Sequence, residues 1–585
     1  MRYGNFNLQR GDHDGNIQQG TPPRWGAVNN PPQPQTNAET SSTSASSTTT
    51  LTIPEHVRSL QEDLRSLGFF IVETPDGDFG RTTEWAVREF QIYAKMGQVA
   101  RVRNDRVGQP LLTASGSPQT INNQEVHYDS SAVYVCAAGQ SPAPTGSTPR
   151  PATYYVDSLE SVANQSIYSG AVCGALNAET IVALEFWLEN NYRCPVIIEA
   201  WSITSNTRTN LAANGCNLWK HNAITNTGPR VYFRDFSNYY TYPPSRPQTE
   251  YHTLGYYEAQ SFGGPSSSSN HSWSPESEMS ISNLTGSNLT PENINTAQIS
   301  TYRVIRGSAQ AECYGKFDVI NCWDNALLST GPCHWTAGIF DNNQYSNGEL
   351  PAFLSYFRDR TPQNYDSAFG HFGLFPLTAW GSANLYSSET RTYSTWIKLS
   401  NSNFLSSQQP HQDSEFTPLS RNREEAHYLK TWHWFFRFSM ASRTITNYRH
   451  AMWGMAKRRI SDIRSKSISF QVNNTTINST IGQIYTSERA TAILLRWHIY
   501  RPSHVVRDQS QRITAAIQSA INSNSNLTWT EPIADWTDAH ETALTTHLLN
   551  AATVVNNSAT TAADYGSGTP PGQPRTGRNT FSLEN

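Results

Sequence analysis

Residues 57–91 read VRSLQEDLRSLGFFIVETPDGDFGRTTEWAVREFQ and divide into two amphipathic stretches separated by a turn that contains two glycines. In the first stretch, apolar residues recur every three or four positions, as on one face of a helix, and Gly68 provides a stop signal. The second stretch begins near Arg81 and repeats the pattern. The apolar positions are Val57, Leu60, Leu64 and Leu67, then Trp85, Ala86, Val87 and Phe90. The pattern predicts a miniature three-helix unit with a small apolar core.

This stretch contains a series of short motifs, each of one or two residues, in a fixed order. They are Leu60-Gln61, Leu67-Gly68, Asp76-Gly77, Phe79-Gly80, Thr83, Ala86-Val87 and Phe90-Gln91. With these pairs, residues 53–94 resemble the peptidoglycan-binding type 1 family. The resemblance implies bacterial peptidoglycan as a partner and a ligand groove near the turn, with binding roles for Asp76, Phe79, Arg81 and Gln91. Such units bind weakly alone and raise the local concentration of a tethered domain, so the resemblance also predicts a catalytic domain downstream.

The composition limits which partners the chain can bind. A chain of 585 residues is long enough for about two to four domains. Only 15% of the residues are charged and the formal net charge is −4, so no basic field is present to hold nucleic acid by counterion release. Aromatic residues make up 11% of the chain, and their faces suit the stacking of sugar rings. The composition therefore argues against nucleic acid and is compatible with a glycan ligand.

The first residues, MRYGNFNLQRGDHDG, show no basic start followed by an apolar run, so we expect no secretory signal peptide. No apolar stretch reaches the roughly 18–20 residues of a membrane helix, so we expect no membrane contact. We expect synthesis in the cytoplasm and delivery to the cell wall by lysis, a phage particle or an injection apparatus. Seven cysteines, none in a CxxC pair, favour neither a full disulfide framework nor a structural zinc site. The sequence leaves the oligomeric state open.

Changes in composition suggest the boundaries of the domains. Stretches rich in Gly, Pro, Ser and Thr flank and interrupt the apolar runs, and such stretches bury too little apolar surface to fold. The predicted units are a disordered leader (1–50), a peptidoglycan-binding domain (51–100), a linker with a short strand at 125–138 (101–155), a catalytic domain with a separate subdomain at 156–260 as an option (156–510), and a helical segment with a flexible tail (511–585). No repeat of fixed period is evident.

Periodicity places several further elements. Helices are predicted at 179–191, at 424–464 and at 486–502, where Pro502 ends the last one. Apolar runs predict strands at 194–203 and 230–236. The predicted fold class is a multidomain, mainly α protein, in which the small three-helix domain precedes a large lysozyme-like α+β domain.

The segment 311–339, AECYGKFDVINCWDNALLSTGPCHWTAGI, resembles the active-site region of the lysozyme superfamily, in which a Glu at the end of a helix faces a hairpin. The resemblance implies Glu312 as the general acid, with its pKa raised by Trp323 or Trp335. It implies Asp324 as the group that stabilises the cation or positions water. The residues that carry the resemblance are Glu312, Gly315, Phe317, Asp318, Asn321, Trp323, Asp324, Ser329 and Gly331.

The interval between Glu312 and Asp324 is longer than in phage-type lysozymes, so Ser329, His334 and Thr336 are alternative second groups. The preferred function is an endolysin-like muramidase that hydrolyses glycosidic bonds of peptidoglycan without a cofactor or metal. A lytic transglycosylase would use Glu312 without needing Asp324.

Other chemistries remain open in the sequence. Cys333 followed by His334, with His371 as a base, superficially resembles a cysteine amidase or endopeptidase. A zinc peptidase has less support, because no His-Glu-x-x-His motif occurs. Arginines that recur beside tryptophans, among them Arg437 and Arg496, either line a saccharide groove or pair with acidic residues in the core. A non-enzymatic wall-binding or virion structural protein is the alternative of a different class.

Overall fold

The computed structural model describes only part of the chain. The described residues are 7–14, 56–69, 75–102, 116–118, 120–121, 124–125, 156–161, 168–190, 192–194, 196–204, 207–210, 230–235, 253–258, 284, 295–313, 320–321, 328–338, 340–341, 344–345, 348–376, 397–399, 434, 437–438, 441–442, 445–505, 511–530, 532–553 and 574–585. These residues are mainly helical. Within them, no helix combines the length and apolar character that a membrane crossing requires.

The α-helices of the described residues are numbered in chain order. They are α1 (His56–Ser66), α2 (Arg81–Met96), α3 (Ala178–Glu189), α4 (Thr296–Cys313), α5 (Leu350–Arg360), α6 (Pro362–Ala368), α7 (Thr446–Ser465), α8 (Ile481–Ile484), α9 (Glu488–Tyr500), α10 (Pro502–Val505), α11 (Arg512–Ser523) and α12 (Asp538–Ala551). The helices predicted at 179–191 and 486–502 are confirmed as α3 and α9. Pro502 follows the end of α9 and occupies the first position of α10, where its missing N–H costs nothing. Helix α7 lies at the end of the stretch predicted at 424–464.

The strands are short and pair antiparallel. They are β1 (Gln98–Val102), β2 (Thr120–Ile121), β3 (Gln124–Glu125), β4 (Val156–Ser161), β5 (Tyr192–Arg193), β6 (Val196–Thr204), β7 (Thr207–Asn210), β8 (Arg230–Asp235), β9 (Thr253–Glu258), β10 (Ile320–Asn321), β11 (Ser329–Thr330), β12 (Trp335–Thr336), β13 (Phe340–Asp341), β14 (Gln344–Tyr345), β15 (Leu374–Pro376), β16 (Ile397–Leu399), β17 (Ser467–Val472) and β18 (Thr475–Thr480). A four-stranded sheet has the order β7-β6-β8-β9, so the strands predicted at 194–203 and 230–236 are confirmed. Apart from Glu125, the strand predicted at 125–138 lies outside the described residues.

Helices α1 and α2 are joined by a turn that is built around the side chain of Gln61. Its Oε1 accepts hydrogen bonds from the backbone N–H groups of Asp76 (2.9 Å) and Gly77 (3.0 Å). Its Nε2 donates to Asp76 Oδ1 (2.8 Å), the Asp78 carbonyl (2.9 Å) and Thr83 Oγ1 (3.0 Å). Gly77 has a φ of +80°, which an L side chain rarely adopts. One buried amide therefore fixes the turn on the start of α2.

Gln91, at the other end of α2, makes the same set of contacts with a loop far along the chain. Its Oε1 accepts from the N–H groups of Cys173 and Gly174, both at 2.9 Å. Its Nε2 donates to the Ala175 carbonyl and to Thr180 Oγ1, again at 2.9 Å each. Gly174 has a φ of +75° and lies six residues before Thr180, as Gly77 lies six residues before Thr83. The loop leads into α3, so α2 is shared by two equivalent half-units.

The third helix that packs with α1 and α2 is therefore α3, which lies beyond the bounds of 51–100 predicted for the small domain. Trp187 of α3 is fully buried between Phe69 and Phe90, with ring centroids 5.6 and 5.3 Å away. The chain leaves α2 along β1 and returns along β4, which pairs with β1 from Gln98 opposite Ser161. Strands β1 and β4, at the two ends of the predicted linker, therefore lie side by side in one sheet. We call the unit formed by α1, α2, α3 and the loops at 75–80 and 168–177 the three-helix unit.

Residues 7–14 also belong to this unit, although the sequence predicted a disordered leader over residues 1–50. Leu8 is fully buried and pairs with Leu176 through two backbone hydrogen bonds. The carboxylate of Asp14 accepts from the N–H groups of Val57 (2.8 Å) and Arg58 (3.1 Å), which have no acceptor within the helix because they lie in the first turn of α1. The capping energy explains why a polar segment is held here.

The three-helix unit is docked on the C-terminal half of the protein. The guanidinium of Arg437 makes a bidentate ion pair with the carboxylate of Glu89 in α2, and both side chains are almost fully buried. Arg437 also lies over the ring of Phe372, at 3.8 Å from its centroid, and Phe372 contacts Tyr93 of α2. A buried pair of this kind holds one relative orientation, because separation would leave two charges in an apolar environment.

Residues 574–585 pack into the core of the C-terminal half, although the sequence predicted a flexible tail there. Arg575 donates to the buried carboxylate of Glu488 at 2.6 and 2.9 Å. Arg578 donates to the buried carboxylate of Glu541 at 2.9 Å. Phe581 is buried beneath the guanidinium of Arg464. The last residues are therefore held because they supply the cations that two buried glutamates require.

Candidate functional site

Of the four residues predicted to bind the ligand, Asp76, Phe79 and Arg81 lie at the turn between α1 and α2, whereas Gln91 lies within α2. Asp76 is exposed at the turn, where its carboxylate accepts from Gln61 and from the Asp78 N–H. Arg81 begins α2, and the description of the structure does not extend to its side chain. Phe79 is buried in the core. Asp76 and Arg81 therefore remain candidates for ligand contact at this turn.

Gln91 cannot contact a ligand without leaving its place, so the binding role predicted for it is not supported. The side chain is fully buried, and both ends of its amide bond to the loop at 173–175 and to Thr180. The same reasoning removes Phe79, whose ring packs within the core. Both residues shape the unit from inside.

Glu312 is positioned at the last turn of α4, which packs along α9. Its Oε1 accepts a hydrogen bond from Arg496 Nε of α9 at 3.2 Å. Its Oε2 lies 3.5 Å from His334 Nδ1. The side chain is 15% exposed, so solvent or a ligand can reach it. Arg496 thus pairs with an acidic residue, which is one of the two roles expected from the sequence.

Of the two predicted apolar neighbours of Glu312, Trp335 is among the described residues. Trp335 is fully buried and stacks on Phe353, with ring centroids 4.7 Å apart. Trp323 and Asp324 lie outside the described residues. Among the described residues, the polar neighbours of Glu312 include the guanidinium of Arg496 and the imidazole of His334.

The hairpin opposite Glu312 is formed by β11 and β12, with Ser329 directly across from Thr336. Ser329 is buried. Thr336 is half-buried, and its hydroxyl bonds with the carbonyl and the N–H of Gly338 at 3.1 and 3.2 Å. Of the predicted second groups Ser329, His334 and Thr336, the structure brings His334 to the Glu312 carboxylate.

A buried arginine supports the tip of this hairpin. Arg459 of α7 donates to the Cys333 carbonyl (3.2 Å), to Glu349 Oε1 (3.0 Å) and to His498 Nδ1 (2.9 Å). Burial, together with the charge of Arg459, holds the pKa of His498 well below its ordinary value. His498 is therefore a neutral acceptor for the arginine at neutral pH. Sequence reasoning missed Glu349, Arg459 and His498, because they come from three separate segments.

Cys333 lacks the features of a nucleophile. The side chain is buried, and desolvation raises the pKa of its thiol to about 12. Reactive cysteines are exposed and have a lowered thiol pKa, since the thiolate is the attacking species. The cysteine amidase alternative therefore loses its central residue. The side chain of His371, its expected base, lies outside the described part of the chain.

The comparison with known families bears on the three-helix unit. Residues 54–97 match the family described as "Putative peptidoglycan binding domain". The resemblance expected over residues 53–94 is thereby confirmed, and the match supports peptidoglycan as a partner. The matched segment covers α1 and α2 and stops before α3. No curated protein and no solved structure matches the chain.

Proposed function

We propose that the protein binds bacterial peptidoglycan through the three-helix unit and hydrolyses a glycosidic bond of the glycan strand with Glu312. The family match at residues 54–97 is the observation that carries the binding part. The Gln61 and Gln91 contacts support a complete and folded unit around that match, because each buried amide is fully used.

Support for the catalytic part comes from the surroundings of Glu312. A partly exposed carboxylate at the end of a helix faces a hairpin that presents an imidazole. Glycosidic cleavage needs one carboxyl group that gives a proton to the leaving oxygen and a second group that stabilises the developing positive charge or activates water. Glu312 is the general acid in the assignment made from the sequence. The N–H donors around it also suit a carboxylate that stabilises the oxocarbenium-like transition state, so the proposal requires a carboxyl group at this position in either role.

The docking of the three-helix unit gives the proposal a geometric basis. Because Arg437 joins the unit to the half of the chain that contains Glu312, a bound wall strand is held in a fixed relation to the carboxylate. Such positioning lowers the entropy that the reaction must lose.

The test of catalysis uses purified peptidoglycan with the full chain, Glu312→Gln and Glu189→Gln as a matched control on the exposed end of α3. We expect new reducing sugar ends, seen by mass spectrometry, with the wild type and Glu189→Gln but not with Glu312→Gln. Anhydro ends would instead identify a lytic transglycosylase. Freed amines would identify cleavage of the peptide part. If no fragments are released while the protein still binds to the peptidoglycan, the protein is a wall-binding protein without this activity.

Activated aryl glycosides separate the two roles of Glu312. These substrates have a leaving group that departs without a proton, so they restore turnover to a variant that lacks the general acid. Glu312→Gln should regain turnover with them if Glu312 is the acid. It should stay inactive if Glu312 is the stabilising carboxylate.

Binding is tested separately by co-sedimentation of the full chain with insoluble peptidoglycan. Arg81→Ala changes the start of α2 beside the exposed Asp76, whereas Arg65→Ala changes an exposed arginine at the end of α1. We expect Arg81→Ala alone to lower retention. Equal retention of both variants would remove this turn from the proposed binding surface.

A further inference from the structure

His334 has an unusual backbone conformation at the tip of the hairpin. Its φ is +44°, a region that non-glycine residues rarely adopt. The turn is closed by a hydrogen bond from the His334 N–H to the Gly331 carbonyl at 3.0 Å. Strained conformations of this kind persist where the surroundings impose them, and they are frequent at functional sites.

Neighbouring buried residues impose this backbone conformation on His334. Arg459 is fully buried and donates to the Cys333 carbonyl, the peptide group that immediately precedes His334. Arg459 is itself held by Glu349 and His498. The tip of the hairpin is thus attached to α7 and α9 through one guanidinium, and this attachment directs the imidazole of His334 toward Glu312.

The two ring nitrogens of His334 have different environments. Nδ1 lies 3.5 Å from Glu312 Oε2, whereas Nε2 is buried and has no hydrogen-bond partner among the described residues. A proton on Nε2 would be a buried donor without an acceptor, which costs about 1–3 kcal/mol. The neutral tautomer with its proton on Nδ1 leaves Nε2 without a proton to place and directs an N–H at the carboxylate.

We propose that His334 is a positioning residue for Glu312, and that its Nδ1–H and Arg496 Nε together fix the orientation of the carboxylate for the reaction. This inference rests on the proposed function, because it assigns a role in the same site. Of the candidate second groups Ser329, His334 and Thr336, His334 thereby takes a role at the Glu312 carboxylate. The separation of 3.5 Å is at the long end for a hydrogen bond, and catalytic hydrogen bonds commonly shorten when substrate binds.

The test uses two isosteric replacements at position 334. Asn and Asp both tolerate positive φ values, and the two side chains have the same shape. His334→Asn presents an amide N–H in place of Nδ1–H, whereas His334→Asp presents an oxygen that repels the Glu312 carboxylate. His334→Gly also accepts the backbone conformation but presents no donor.

We expect kcat on soluble glycan oligomers to stay within about threefold of wild type for His334→Asn. For His334→Asp and His334→Gly we expect kcat to fall by about 10–1000-fold, the effect of removing one aligned donor, with KM little changed. Thermal unfolding should be the same for His334→Asn and wild type, and co-sedimentation with peptidoglycan should be the same for the Asn and Asp variants. A purely structural role for His334 would change these two measurements and not the ratio of kcat between Asn and Asp.

Equal kcat for His334→Asn and His334→Asp would overturn the inference. If Glu312→Gln is inactive while His334→Gly retains wild-type kcat, the positioning role is wrong and the proposed function stands. If Glu312→Gln retains full activity, the proposed site itself is wrong.

Discussion

Gln91 makes with the loop at 173–175 the same hydrogen bonds that Gln61 makes with the turn at 76–78. In each case the amide oxygen accepts from two consecutive backbone N–H groups, and the amide nitrogen donates to a backbone carbonyl and a threonine hydroxyl. The three-helix unit is therefore two similar halves, although residues 98–167 separate them in the chain.

Gln91→Ala should destabilise the protein as much as Gln61→Ala. Each substitution leaves two backbone N–H groups without an acceptor, at about 1–3 kcal/mol for each donor, so we expect a loss of about 2–6 kcal/mol. The loss is measured by urea unfolding that is monitored through tryptophan fluorescence. If Gln61→Ala is destabilising while Gln91→Ala stays within about 0.5 kcal/mol of wild type, the discontinuous unit is incorrect.

The ion pair between Glu89 and Arg437 should determine whether the three-helix unit stays docked. Arg437→Met leaves the buried Glu89 carboxylate without its cation, so we expect a loss of about 3–5 kcal/mol and a separate unfolding transition for the unit. Glu89→Leu combined with Arg437→Met removes both charges and should recover much of the loss. Calorimetry of the two variants distinguishes these outcomes. A double variant no more stable than the single one would argue against a role for the unpaired charge.

The C-terminal residues should contribute to stability through Arg578. Arg578→Met removes a buried guanidinium from the fully buried Glu541, and we expect a loss of about 2–4 kcal/mol. Arg458→Met is the matched control, because the Arg458 side chain is 41% exposed and its pair with Asp462 should be worth less than about 1 kcal/mol. Chemical denaturation of both variants tests the difference. Equal effects would mean that residues 574–585 add little to the fold.

Stability should fall with acidification below about pH 6.5 because of His498. Its pKa is lowered in the folded state by burial and by Arg459, while the unfolded chain has the ordinary value. The unfolded state therefore takes up a proton first, and stability decreases by up to about 1.4 kcal/mol per pH unit. His504, with its pKa lowered by burial and by Arg512 and Arg501, changes stability in the same direction.

His498→Asn tests this linkage, since Asn does not titrate and its side-chain oxygen can still accept from Arg459. We expect the free energy of unfolding of this variant to change less between pH 7.5 and 5.5 than that of wild type, with both pH values chosen to bracket about 6.5. If the free energy of unfolding depends on pH in the same way in wild type and in His498→Asn, His498 is not the source of the pH dependence.

Local sequence patterns were sufficient for several elements. The apolar periodicity of residues 57–67 and 81–96, and the pairs around Gln61, predicted α1, α2 and the family that residues 54–97 match. The runs at 179–191, 486–502 and 230–236 likewise predicted α3, α9 and β8. These predictions succeed because the signal for a helix or strand lies within a few consecutive residues.

Composition misled at both ends of the chain. Residues 7–14 and 574–585 look like polar segments, yet Asp14 caps α1, and Arg575 and Arg578 neutralise buried glutamates. A polar segment becomes ordered when it supplies donors, acceptors or charges that a distant buried group requires, and no local pattern reports that need.

By itself, the sequence determined helices α1, α2, α3 and α9 and the family resemblance of the first two of them, and it singled out Glu312 as a candidate. Only the tertiary structure decided that α3 completes the three-helix unit, that Arg437 docks it, and that His334 and Arg496 face Glu312. The physical reason is the distance along the chain over which each kind of interaction acts. Helix and turn preferences act between neighbouring residues, whereas a buried charge or amide is satisfied by whichever partner the fold brings within about 3 Å, however distant in the chain.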